Sequence, residues 1–167
     1  MQKITSNLWF NKEAEEAVKY YTSIFKNSKI GRISRYGKEG QEIQGMPEGT
    51  VMTVEFQLEG QTFLALNGGP HFKFNEAISF IVNCENQEEI DYYWDKLTKG
   101  GDEKAQMCGW LKDKYGLSWQ VVPTIVSDMM VDENRERAQR VMNEILRMKK
   151  IDIKTLQEAY EGQVQLT

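Results

Sequence analysis

Apolar and polar residues alternate from residue 4 to residue 10, which predicts a first strand. Asn11 is a candidate helix cap, and the residues after it recur at helical spacing: Ala14, Ala17, Val18, Tyr21 and Phe25. Alternation over residues 29–36 predicts a second strand, and the glycine-rich stretch 37–49 predicts a long loop. Two further strands, 50–58 and 61–66, form a predicted hairpin about Glu59-Gly60.

The second half of the chain repeats this order of elements. A strand is predicted at 78–82, followed by a helix from Asn86 to Leu97 with a capping-box-like start, and Gly100-Gly101 ends it. A second hairpin is predicted from 109–114 and 117–122, turning at Tyr115-Gly116. Asp132 and Asp152 are candidate caps for two C-terminal helices.

Residue types also match between the two halves, which favours an internal duplication. Residues 15–21 are similar in type to 88–94, and each segment follows an alternating strand. Gly60 and its following strand match Gly116 and its following strand. Two modules could share a rolled sheet and hold a ligand in its concavity. The alternative is two helices that carry similar residues by chance.

The amino-acid composition argues against several classes of function. The 167 residues carry a net charge of −4, so no basic surplus favours nucleic acid. His71 is the single histidine, which argues against most metal sites and most histidine-based catalysis. Cys84 and Cys108 are not in a C-x-x-C arrangement, and there is no signal-like or membrane-spanning apolar run. We therefore expect a cytoplasmic protein that does not bind membranes.

Several segments carry a resemblance to a known family: residues 8–11, 15–17, 63–70, 77–80, 93–97, 108–123 and 148–153. Together they resemble the PhnB-like branch of the vicinal oxygen chelate (glyoxalase/bleomycin resistance/dioxygenase) superfamily. That branch carries the domain description 3-demethylubiquinone-9 3-methyltransferase. The resemblance extends from about residue 3 to 162.

The resemblance implies an α+β fold of two βαβββ modules, at about 3–70 and 76–124, that form a rolled mixed sheet. We predict one domain over residues 1–128 and a C-terminal helical extension over 129–167. The resemblance also implies a homodimer.

Metal-using relatives take ligands from the first and last strand of each module, usually His, Glu or Gln. The corresponding positions here are Thr5 or Asn7, Ala65 or Asn67, Ala77 or Ser79, and Gln120. Only Gln120 is a plausible ligand type. We therefore predict no metal and no cofactor.

Strand parity predicts the residues that line a ligand cavity. The residues are Thr5, Asn7, Trp9, Phe63, Asn67, Ser79 and Gln120, with Trp110 near the mouth. The inward register of Gln120 comes from the resemblance. Aromatic, amide and hydroxyl groups suit a small, planar, mostly neutral ligand. The alternative is a filled core whose polar groups satisfy one another. His71 is either a surface or structural residue, or an acid/base group or single ligand at the junction of the two modules.

We therefore predict a metal-free protein that binds an aromatic or hydrophobic small molecule. The alternative is a glyoxalase- or dioxygenase-type enzyme with an altered metal site. Methyl transfer is less favoured, because Gly68-Gly69-Pro70 leads toward a strand and the chain has no G-x-G-x-x-G pattern.

Overall fold

A computed structural model describes residues 2–163 of the protein. The chain divides into two units, Met1–Phe74 and Asn75–Thr167. Each unit has its own sheet.

The first unit has the predicted strand, helix and three-strand order. Its elements are β1 (Ser6–Phe10), α1 (Ala14–Ile24), β2 (Ser28–Arg35), α2 (Lys38–Gln44), β3 (Val51–Leu58) and β4 (Gln61–Asn67). The sheet order is β1-β4-β3-β2, with β1 parallel to β4 and the other pairs antiparallel. Glu59 and Gly60 both have positive φ, 47° and 79°, as the tight turn between β3 and β4 requires.

Aromatic side chains fill the space between α1 and the sheet. Tyr21 on α1, Phe56 on β3 and Phe63 on β4 are all buried. The Phe56 ring stacks on Tyr21 with centroids 6.4 Å apart and on Phe63 with centroids 5.3 Å apart. The apolar stripe of α1 that the sequence predicts is buried: Ala14, Ala17, Val18, Tyr21 and Phe25.

Two local predictions for the first unit were wrong. The stretch 37–49 contains the short helix α2, which ends at Gly45 with a left-handed φ of 68°. Asn11 does not cap α1. The Ala14 N–H instead donates to Oδ1 of Asn67, 2.9 Å away, so the acceptor comes from the end of a distant strand.

The second unit begins with the same order but has fewer strands. Its elements are β5 (Ser79–Cys84), α3 (Gln87–Thr98), a 3₁₀ turn (Glu103–Ala105), β6 (Trp110–Lys112) and β7 (Ser118–Pro123). The order is β5-β7-β6, with β5 parallel and β6 antiparallel to β7. The predicted module has four strands, and the described residues of this unit form three. Between α3 and β6, Asp102 accepts the Lys104 N–H and closes a turn where a further strand would lie.

Three helices follow in the described part of the second unit: α4 (Ile125–Met130), α5 (Arg135–Ile145) and α6 (Ile153–Glu161). They pack around Met129, Val141, Ile151 and Leu156. Asp152 caps α6 as predicted, because its carboxylate accepts the Thr155 N–H. Asn134, rather than Asp132, caps α5. Of the helices within residues 2–163, none combines the length and the apolar character needed to cross a membrane.

Candidate functional site

One face of the second unit's sheet brings together polar and aromatic side chains from all three strands. In the strand register, Gln120 of β7 lies between Ile81 of β5 and Trp110 of β6. Ser118, two residues earlier, lies between Ser79 and Lys112. Paired residues point to the same side of a sheet. We call this surface the Gln120 face; its members are Ser79, Ile81, Trp110, Lys112, Ser118 and Gln120.

The opposite face of this sheet holds the apolar core. Val82, Leu111, Trp119 and Val121 are buried there, and α3 supplies Ile90, Trp94 and Leu97. On β5, Phe80 and Val82 pair with Trp119 and Val121 of β7 and so lie on this face. Val82 is buried, whereas Ile78 precedes the strand and is 70% exposed.

Gln120 is held in place by a side-chain hydrogen bond. Its Nε2 donates to Oγ of Ser79, 2.9 Å away. This bond fixes the amide plane and leaves the amide oxygen, Oε1, as an acceptor on the face. The serine hydroxyl keeps its own proton to donate.

Ser118 is the second polar group of note on this face. Its side chain is fully buried, and its Oγ has no hydrogen-bond partner among the described residues. A buried hydroxyl without a partner destabilises the fold by about 1–3 kcal/mol.

Trp110 is placed by a tight turn at the start of β6. Met107 and Trp110 form an isolated bridge, and both residues between them have positive φ: 54° at Cys108 and 82° at Gly109. Trp110 is half-buried, so part of its ring is available for contact.

Charge on the Gln120 face is locally compensated. Lys112 forms an ion pair with Glu76. The hydrogen bond from Lys112 holds the pKa of Glu76 below its usual value, which keeps this carboxyl ionised near neutral pH. The remaining members of the face are uncharged, so the surface suits a neutral ligand better than an ion.

The predicted residues on β1 and the segment before it lie on the first unit. Thr5 and Asn7 are exposed, and Trp9 is half-buried. The indole N–H of Trp9 donates to the Gly69 carbonyl, 2.9 Å away, and the Phe72 ring meets it edge-on at 4.9 Å. Trp9 therefore anchors the segment that follows β4.

Phe63 and Asn67 correct the predicted faces of β4. Both are buried on the helix side, where Phe63 stacks on Phe56. Asn67 accepts the Ala14 N–H and donates from Nδ2 to the Val51 carbonyl, 2.9 Å away. Leu64 and Leu66 take the other face. Apolar residues stand at both the odd and the even positions of β4. The alternation of apolar and polar residues therefore did not show which face of the strand packs against the helix.

The residues at the family's metal-ligand positions do not fit a metal. Asn67 uses its amide for backbone bonds, Ser79 is bonded to Gln120, and Ala65 has no donor atom. Over residues 2–163, no group of three His, Cys, Asp or Glu side chains could hold an ion. His71 is exposed on the segment after β4.

Cys84 is a poor candidate for a nucleophile or a ligand. The thiol is buried, and this burial, with a smaller contribution from Glu89, raises its pKa to about 12. It is therefore protonated at neutral pH, and the thiolate is the reactive form.

Comparisons with known proteins define the family. A family model described as 3-demethylubiquinone-9 3-methyltransferase matches residues 2–122. The chain belongs to this family. The family predicted from the sequence is thus confirmed. All six residues of the Gln120 face lie inside the matched region. Helices α4–α6 lie outside it.

Solved structures of several bacterial proteins are similar to this family member. One is a PhnB protein from Bacillus cereus, with 41% identity over 74% of this chain and 100% of that chain, and a TM-score of 0.64. A protein from Pseudomonas aeruginosa has 18% identity over 74% of this chain and 98% of that chain, with a TM-score of 0.58, and shares the fold. A glyoxylase/bleomycin resistance protein/dioxygenase domain from Frankia has 13% identity over 74% of this chain and 92% of that chain, with a TM-score of 0.47. The search of curated proteins returned no match.

Proposed function

We propose that this protein binds a small, planar, neutral aromatic molecule on the Gln120 face, without a metal or cofactor. The observation that carries the proposal is the position of Gln120 between Trp110 and Ile81, with its amide held by Ser79. An apolar surface with a few fixed polar groups is typical of small-molecule sites.

The side chains indicate how such a ligand would bind. A flat ring would stack on Trp110 and contact Ile81, which is 55% exposed. A hydroxyl or N–H on the ring would donate to Oε1 of Gln120. The family description names demethylubiquinone, whose planar ring carries oxygen substituents, and this supports the same ligand class.

Binding is a better fit than the two catalytic alternatives. Methyl transfer would call for a glycine-rich turn that leads from a strand into a helix. Here Gly68 and Gly69 follow β4, and the next element of the described chain is β5. A glyoxalase- or dioxygenase-type reaction calls for a metal, and the donor set described above does not fit one.

The test uses 4-hydroxyacetophenone, a neutral ring with a donor and an acceptor, and toluene, which has neither. Calorimetry on the full chain should show binding of 4-hydroxyacetophenone. Gln120→Leu should weaken it about tenfold, because the variant loses an acceptor worth about 1.4 kcal/mol. Toluene should bind Gln120→Leu at least as well as the unmodified protein.

Two controls locate the site. Trp110→Phe should weaken binding of both probes, whereas Trp9→Phe should leave both affinities unchanged. The proposal would be contradicted if neither probe bound the unmodified protein. It would also be contradicted if Trp110→Phe and Trp9→Phe lowered the affinity equally.

We also infer a homodimer in the cytoplasm. Apolar side chains exposed on the second unit, Ile78 at 70% and Met107 at 62%, support contact with a second copy. The two free cysteines, Cys84 and Cys108, support a reducing compartment. Light scattering after size exclusion should give twice the mass of one chain, and a monomer mass at micromolar concentration would contradict the dimer.

A further inference from the structure

The segment between α5 and α6 is bonded to the turn that precedes Trp110. We call residues 148–151 the C-terminal strap. The Cys108 N–H donates to the Met148 carbonyl and the Gly109 N–H donates to the Lys149 carbonyl. The nitrogen–oxygen distance is 2.8 Å in each bond. The strap thus accepts two hydrogen bonds from the two residues with positive φ.

The turn is held in an unfavourable backbone conformation. Cys108 has a φ of 54°, which a residue with a Cβ adopts at a cost. Gly109 packs closely, because a Cβ built there would lie 3.0 Å from the Val121 carbonyl oxygen and 3.2 Å from Cγ1 of Ile151. Such a conformation persists only where its surroundings impose it.

The strap and the start of α6 are attached to side chains of α3. Nε2 of Gln87 donates to the Ile151 carbonyl oxygen, 3.1 Å away, and Oε1 of Gln87 accepts a hydrogen bond from the Ile153 nitrogen, 2.9 Å away. Lys150 adds an ion pair with Asp91, 2.6 Å long. The attachment therefore runs from Gln87 to the strap and from the strap to the turn.

We propose that Gln87 is a positioning residue for Trp110, acting through the C-terminal strap, so that a non-helical segment outside the family-matched region sets the shape of the Gln120 face. The proposal rests on the proposed function for its effect on affinity. The effect on the environment of Trp110 does not depend on any ligand.

The experiment labels the full chain with 5-fluorotryptophan and records one ¹⁹F resonance for each of the four tryptophans, assigned by Trp→Phe variants. Gln87→Leu removes the bond to Ile151 in the strap and the bond to Ile153 at the start of α6. We expect the Trp110 resonance to shift or broaden while the Trp9 resonance stays unchanged. The affinity for 4-hydroxyacetophenone should fall about fivefold, since a less ordered ring must be fixed on binding.

Gln157→Leu is the matched control, because Gln157 lies exposed on α6 and the same substitution there leaves the strap untouched. Lys150→Met is a second, milder variant, which removes only the ion pair. It should move the Trp110 resonance in the same direction by less, and it serves where Gln87→Leu folds poorly.

An unchanged Trp110 resonance in Gln87→Leu, or equal changes in all four resonances, would overturn the positioning role. Failure of the unmodified protein to bind 4-hydroxyacetophenone would contradict the proposed function alone, and the resonances would still decide the role of Gln87. A shifted resonance with an unchanged affinity would overturn the link between the strap and binding.

Discussion

Asn67 connects three segments of the first unit. Its side chain bonds the start of α1 at Ala14 and the start of β3 at Val51, and its carbonyl accepts the Tyr36 hydroxyl at 2.5 Å. Asn67→Leu would leave two buried backbone groups without partners, so we expect the free energy of unfolding to fall by about 3 kcal/mol. Urea denaturation measures this change.

Asn7→Leu is the comparison for that variant. Asn7 is exposed on β1, and its replacement should change stability by less than about 0.5 kcal/mol. Equal losses in the two variants would show that the hydrogen bonds of Asn67 do not contribute as described.

Ser118 offers the opposite prediction, a stabilising substitution. Its buried Oγ has no hydrogen-bond partner among the described residues. Ser118→Ala therefore removes an unpaired polar atom, and the alanine side chain fills almost the same volume as the serine. We expect the free energy of unfolding to rise by about 1 kcal/mol. Ser79→Ala should instead lower it by up to about 1 kcal/mol, because Gln120 loses its acceptor. Destabilisation by Ser118→Ala in the same denaturation assay would contradict this account.

On β5, alternation alone separates Ser79 from the core residue Val82, whereas the inward register of Gln120 was taken from the family resemblance. The strand register brings Ser79, Trp110 and Gln120 to one face, opposite large core residues such as Trp119 and Val121. Asn67 could not be recognised in the same way. Its bonds reach Ala14, 53 positions earlier in the chain, and no local pattern reports such a partner.

At the scale of elements, strands and helices with strong periodicity were predicted, and short elements were not. The hairpin β3–β4 and the helices α1 and α3 follow from spacing and turn residues. The seven-residue helix α2 lies in a stretch with glycines at 37, 40 and 45, where local propensity favours a loop. The described residues of the second unit form three strands rather than four, with a turn closed by Asp102 between α3 and β6, and alternation alone does not reveal this turn.

The C-terminal helices contain a pH-sensitive contact. Tyr160 of α6 donates to the Asp132 carboxylate, and this bond, followed by the Asn134 N–H and the Arg137 charge, lowers the pKa of Asp132. A carboxyl whose pKa is lower in the folded state stabilises the fold above its unfolded pKa, about 3.9. That contribution is lost as pH falls through the lower, folded value.

Thermal unfolding between pH 7 and pH 2 tests this contact. The unmodified protein should be more stable than Asp132→Asn at pH 7, and the difference should shrink below about pH 4, where the unfolded carboxyl is protonated. Asp128→Asn, which changes an exposed carboxyl on α4, is the control. A difference that stays constant across this range would show that ionisation of Asp132 does not stabilise the helices.

At the scale of the whole molecule, the family assignment and the α+β class were predictable, and the attachment of the C-terminal helices was not. The family model ends at residue 122, and the resemblance of residues 148–153 to family members does not say which groups the strap contacts. The strap reaches the sheet through backbone carbonyls of Met148 and Lys149, and a backbone acceptor leaves no signature in residue type.

Metal content is the prediction that applies to the whole chain. The family's ligand positions hold Asn67, already bonded to the backbone, and Ser79, already bonded to Gln120, so the protein has no set of three or four strong donors there. Protein purified without an affinity tag should contain far less than one zinc, nickel, iron or manganese ion per chain. Dialysis against EDTA should change neither its unfolding midpoint nor its affinity for 4-hydroxyacetophenone, because a metal bound to the native state would have stabilised it. One ion per chain, lost to EDTA together with ligand affinity, would instead favour the enzyme with an altered metal site.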